Sequence, residues 1–126
     1  MRLETGVDIV QIERIERVLG RYGERFLARV YSPLEVHHCR GRAPELAARF
    51  AAKEAVSKAL GVGMSVLSPA GIAWHDVETL SERSGKPYLV LHGRAQALAA
   101  AQGLTTWSVS LSHDGGIAVA FVVAMG

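Results

Sequence analysis

The chain has 126 residues, 49% hydrophobic and 21% charged, which suits one soluble domain spanning residues 1–126. A formal charge of +2 without any basic block interleaved with aromatics argues against a nucleic-acid partner, and no apolar run approaches the length of a membrane span. The opening "MRLETGVDIV" lacks the basic and apolar regions of a signal peptide, and the single Cys39 excludes an internal disulfide framework, so the expected compartment is the cytoplasm.

Residues 6–10, "GVDIV", read as a buried strand because Val7, Ile9 and Val10 are β-branched, with Asp8 as the polar intruder. From residue 11 to 22 the pattern changes to helical spacing through Ile12, Ile15, Leu19 and Tyr22. Arg14, Arg17, Arg21 and Arg25 would share one side of a continuous helix, although Gly20 and Gly23 interrupt it. Such a stripe suits either an acidic partner or a solvated face paired with Glu13, Glu16 and Glu24. "SPLE" carries the capping-box pattern: Ser32 as N-cap, Pro33 at the first helical position and Glu35 at the third.

Pro44 opens the longest helix, which stops at Gly61. "GVGMSVLSPAG" (61–71) is a loop, and "IAWHDVETL", the turn "SERSGKP" and "YLVLH" form a hairpin. Residues 93–102 make a short alanine-rich helix stopped by Gly103. Trp107, Val109 and Leu111 then alternate with serines and threonine along a strand, and "HDGG" (113–116) turns the chain into a final apolar strand. One strand, three helices, a hairpin, a helix and a second hairpin together predict an α+β fold, with a mainly antiparallel sheet packed on the long central helix.

The long helix contains "RFAAKEAVSKAL", in which Glu54 and Lys58 stand on a face otherwise made of Ala47 and Ala51. Alone this is an ordinary i,i+4 ion pair, left accessible by small neighbours. Asp8 adds to it, because a carboxylate inside an apolar strand must be satisfied by backbone N–H groups, paired, or bound to metal. Asp8 and Glu54 could supply oxygen ligands to a Mg²⁺ that takes its other ligands from water and substrate phosphates, with Lys58 facing the phosphate. Gly61 and Gly63 could admit a phosphate to the backbone or simply end the helix, and His113 could meet a ligand or simply turn the chain. His37 and His38 are adjacent, so on a helix they diverge and make poor joint metal ligands.

"GVDIVQIERIERVL", "RFAAKEAVSKAL" and "SVSLSH", supported by "FLARVYSPLE" and "GKPYLVL", resemble the holo-[acyl-carrier-protein] synthases, small phosphopantetheinyl transferases of fatty acid synthesis. The resemblance covers nearly the whole chain. It implies a 4'-phosphopantetheinyl transferase-like fold and transfer of 4'-phosphopantetheine from coenzyme A to a serine of apo acyl carrier protein, with release of adenosine 3',5'-bisphosphate. It further implies Asp8 and Glu54 as Mg²⁺ ligands, Lys58 as the charge beside the reacting phosphate, and Arg49 and His113 as coenzyme A phosphate contacts. Arg14, with less support Arg17 and Arg21, is implied to dock the carrier protein. Asp114 departs from the family pattern, in which threonine commonly follows this histidine, and a carboxylate there would repel a phosphate. A homotrimer with active sites at subunit interfaces is also implied, so that Asp8 and Glu54 could come from different chains and the alanines would allow close packing between elements.

Overall fold

The computed structural model describes all 126 residues. In chain order it runs β1 (Leu3–Gln11), α1 (Ile12–Tyr22), α2 (Glu24–Val30), α3 (Pro33–Cys39), α4 (Ala43–Leu60), a 3-10 turn (Trp74–Asp76), β2 (Val77–Ser81), β3 (Pro87–Leu91), α5 (Gly93–Ala101), β4 (Thr106–Asp114) and β5 (Ile117–Met125). The expected α+β fold with antiparallel strands is present, although the strands divide into two sheets, β1-β5-β4 and β2-β3. The expected three early helices are four, because Gly23 adopts φ 54° and separates α1 from α2, whereas Gly20 is carried within α1. Arg25 therefore leaves the α1 stripe and belongs to α2. The strand expected from residue 72 begins at Val77, because Trp74–Asp76 closes a 3-10 turn in which the Asp76 carboxylate accepts from the Ala73 amide.

Thirteen of the eighteen residues of α4 are buried, so this helix has no continuous solvent face and forms the axis of the core. The alanines let β1 come close: a Cβ at Gly6 would overlap the Ala55 carbonyl, a contact that only a glycine permits. Close packing by small residues thus operates inside one chain. The contact also corrects the expectation that β1 is buried through all three of its β-branched residues. Gly6, Asp8 and Val10 face inward, while Val7 and Ile9 are exposed on the far face of the sheet. β5 pairs with both β1 and β4, placing Asp8 opposite Ala120.

Two buried polar groups tie α3 and β2 to the axis. Glu35 fulfils its capping role by accepting from Ser32 N, and the same Oε1 accepts from Lys53 Nζ at 2.9 Å, while Oε2 accepts from Thr79 N. Lys53 also donates to the carbonyls of Trp74 and Val77, which uses all three of its N–H bonds. Both side chains are wholly buried. Burial holds the Lys53 ammonium below the usual lysine range despite the attraction of Glu35.

Candidate active site

After Lys53, α4 carries Glu54 and Lys58 towards the surface. Lys58 Nζ donates to Asp8 Oδ1 and to the Val7 carbonyl, each at 3.0 Å, and just over half of its side chain is exposed. Glu54 is partly buried beside them. Burial raises its carboxyl above the usual range, and Asp8 raises it further, against the opposing pull of Lys58 and Arg14. Asp8, Glu54 and Lys58 thus meet within a single chain, correcting the expectation that the two carboxylates could come from different subunits. Ala47 and Ala51 beneath them are buried in the core, so the pair owes its access to the edge of the β1–α4 seam and not to small exposed neighbours.

No cluster of three or more His, Cys, Asp or Glu groups suited to a metal exists in the chain. Asp8 and Glu54 fit a different pattern. Two neighbouring carboxylates, the first with only one oxygen engaged by Lys58, match a Mg²⁺ held by few protein ligands and completed by water and phosphate oxygens.

Gly61 has φ 77° and caps α4 through its N–H to the Lys58 carbonyl. Gly63 N–H bonds the Ser57 carbonyl and its own carbonyl accepts from Ile72 N. These amides close the helix, while the space beside both glycines, where a side chain would stand, is open.

Arg49 and His113 lie in a second cleft, of about 340 Å³, whose lining also includes His38, Glu45, Ser81 and Ser112 but neither Asp8 nor Lys58. His113 belongs to β4 and the turn itself is made by Gly115 and Gly116, both with positive φ. Burial, with Arg49 as the next cause, holds His38 below the usual histidine range, against the opposing pull of Glu45. His38 and Glu45 escaped sequence reasoning because neither stands in a motif with Arg49 or His113.

Arg14, Arg17 and Arg21 are exposed along α1, together lining a shallow depression with Val18 and Tyr22. Arg14 is nearest the carboxylates: its charge acts on Glu54, and its guanidinium stands 5.9 Å from the Phe50 ring centroid.

A family model for the 4'-phosphopantetheinyl transferase superfamily matches residues 4–122. The chain belongs to this superfamily. Among its relatives, the holo-[acyl-carrier-protein] synthase of Herpetosiphon aurantiacus is 51% identical, covering 98% of this chain and 99% of the relative. The Helicobacter pylori synthase crystallised with coenzyme A aligns with TM-score 0.84 at 34% identity, over 96% of this chain and 99% of the other. The Neisseria meningitidis synthase aligns with TM-score 0.82 at 32% identity, over 98% of each chain. The phosphopantetheinyl transferase fold expected from sequence is therefore the fold of this chain, and its open carboxylate–lysine group sits on the seam between the first strand and the central helix.

Proposed function

We propose that this chain transfers 4'-phosphopantetheine from coenzyme A to a serine of apo acyl carrier protein, releasing adenosine 3',5'-bisphosphate, in support of fatty acid synthesis. The observation that carries this reading is the group Asp8, Glu54 and Lys58, open to solvent on a buried frame, in a chain matched almost end to end by holo-[acyl-carrier-protein] synthases. The Helicobacter pylori relative binding coenzyme A supports the donor.

In this reaction the serine oxygen forms a bond to phosphorus, the bond from that phosphorus to the nucleotide half breaks, and the serine loses its proton. Lys58 carries an ammonium on a flexible stem beside Asp8, suited to turning towards the negative oxygens of the pyrophosphate. Asp8 and Glu54 are the residues that would hold Mg²⁺. Bound there, the ion would supply charge neutralisation and alignment of phosphate oxygens. Arg14, with Arg17 and Arg21, offers positive charge beside the site for an acidic carrier, acting mainly through encounter rate.

The assembly belongs to the same reading. Leu3, Val7, Ile9, Ile117 and Phe121 leave an apolar outer face on the three-stranded sheet, which favours burial against further copies. The carboxylates and the Arg49 cleft are separate within one chain, and a homotrimer that sets one chain's carboxylates beside its neighbour's cleft would unite them. A cytoplasmic location follows from the donor and acceptor, and no helix is long and apolar enough to cross a membrane.

Intact-mass analysis of apo acyl carrier protein with coenzyme A, Mg²⁺ and this protein tests the activity. A phosphopantetheine-sized gain that is lost without metal or with Asp8→Asn is expected. Release of phosphopantetheine without any carrier would instead indicate a phosphohydrolase, and unchanged coenzyme A with binding retained would indicate a binding module.

A further inference from the structure

The Arg49 cleft is organised around a carboxylate. Glu45 Oε2 accepts from Arg49 Nη1 at 3.1 Å and lies 3.9 Å from His38 Nε2, while Oε1 lies 3.9 Å from His113 Nε2. Three nitrogen-bearing side chains from α3, α4 and β4 therefore surround one anion that the protein itself supplies. Arg49 is only 2% exposed, and its remaining bonds are modest: Nη1 to the Glu45 carbonyl at 3.4 Å and Nη2 to Ser81 Oγ at 3.3 Å. Its Nε is buried with no partner. The guanidinium is thus fixed in place while part of its donor capacity goes unused.

Glu45 differs from Arg49 in freedom. Its side chain is 30% exposed and springs from the first turn of α4. Rotation about its own torsions would carry the carboxylate into solvent, still near the helix N-terminus, where negative charge is favoured. Left in the cleft, the carboxylate makes the Arg49 pair neutral and offers an entering dianion no net attraction. Removed from the cleft with nothing in its place, it would leave a buried guanidinium unpaired, which is costly. These two facts together describe an exchange of one anion for another.

We propose that Glu45 is a displaceable internal anion, occupying the Arg49 cleft in the free chain and yielding it to the phosphate monoester of coenzyme A. The proposal rests on the transferase reading and adds a residue that sets charge selectivity. A dianionic monoester can replace the carboxylate with gain, whereas a group of lower charge gains less from the exchange. Glu45 also keeps Arg49 compensated before the substrate arrives.

Calorimetric titration at neutral pH with coenzyme A, and with dephospho-coenzyme A lacking the monoester, tests this. Glu45→Gln is expected to bind coenzyme A about three- to tenfold more tightly than the unaltered protein while binding dephospho-coenzyme A unchanged. Glu45→Ala, which offers no amide in place of the carboxylate, should move coenzyme A affinity in the same direction. Weaker coenzyme A binding in both variants, or an unchanged preference between the two ligands, would overturn the proposal and make Glu45 a support for Arg49. His113→Gln should narrow the preference for the monoester. If it does not, while the unaltered protein still modifies apo carrier protein, the cleft is not the monoester site and the proposal falls with the transferase reading intact. Absence of carrier modification by the unaltered protein would instead defeat the transferase reading on which the proposal rests.

Discussion

Two lysine–carboxylate pairs project from α4, and they teach opposite lessons. Lys53 and Glu35 meet at 2.9 Å with both side chains wholly buried, whereas Lys58 and Asp8 meet at 3.0 Å with just over half of the lysine in solvent. Distance does not separate them. Their remaining partners do: Lys53 spends its other donors on the Trp74 and Val77 carbonyls, and Glu35 accepts from Ser32 and Thr79 amides. The inner pair is saturated and can only hold the fold together. The outer pair keeps one Asp8 oxygen outside its ion pair and borders a second carboxylate, Glu54, so it has capacity for a ligand.

The sharpest way to break this contrast is to exchange each lysine for methionine. Lys53→Met leaves Glu35 buried without its counter-charge, and the expected cost is about 3–5 kcal/mol of stability. Thermal unfolding should fall by about 10 °C or more. Lys58→Met should lower turnover about 100-fold or more in a steady-state assay while changing stability by no more than about 1 kcal/mol. Equal stability losses for the two would erase the distinction between a structural pair and a chemical one.

Glu54→Gln sharpens the comparison from the acidic side, with an expected turnover loss of about 100-fold. Its raised carboxyl also makes a stability prediction. A group protonated more readily in the folded than in the unfolded state contributes stability at low pH, and that contribution is lost as pH rises through the folded-state value. At neutral pH, without metal, Glu54→Gln should therefore raise the melting temperature slightly, by about 2 °C. Differential scanning calorimetry with and without Mg²⁺ checks it, since added Mg²⁺ should stabilise the unaltered protein and not the variant. The smallest effect belongs to Arg14→Glu: about a tenfold slower association with carrier protein at low ionic strength, shrinking as salt rises, with coenzyme A affinity retained. Stopped-flow mixing over a salt series measures it.

The outer group was legible in the sequence because its residue types announce chemistry: an acid inside a β-branched run, and a Glu–Lys pair on an alanine face. The capping role of Glu35 was legible too, from "SPLE". Its second role was not, because nothing local ties Glu35 to Lys53 or to Thr79; only the packing of α3, α4 and β2 joins them. The exposure of Val7 and Ile9 on β1 is hidden from the sequence for a related reason. Val7, Ile9 and Val10 look alike by composition, but Gly6 decides which face can reach α4, and a missing side chain leaves no hydrophobic signal. The spent amides of Gly61 and Gly63 likewise depend on hydrogen bonds that glycine content alone does not reveal.

The pairing of β1 with β5 has a consequence for how the molecule comes into being. Asp8 lies on β1, yet the strand that holds it in register, with Ala120 opposite, is β5, which follows every other element described here. A contact of such sequence separation forms slowly, after local helices are already in place. α4 can therefore present Glu54 and Lys58 early in folding, while Asp8 joins them only when the final strand is laid down. A chain cut before β5 would have the helical half of the site and no complete acidic centre, so the strand that carries no site residue is the one on which the site's assembly depends.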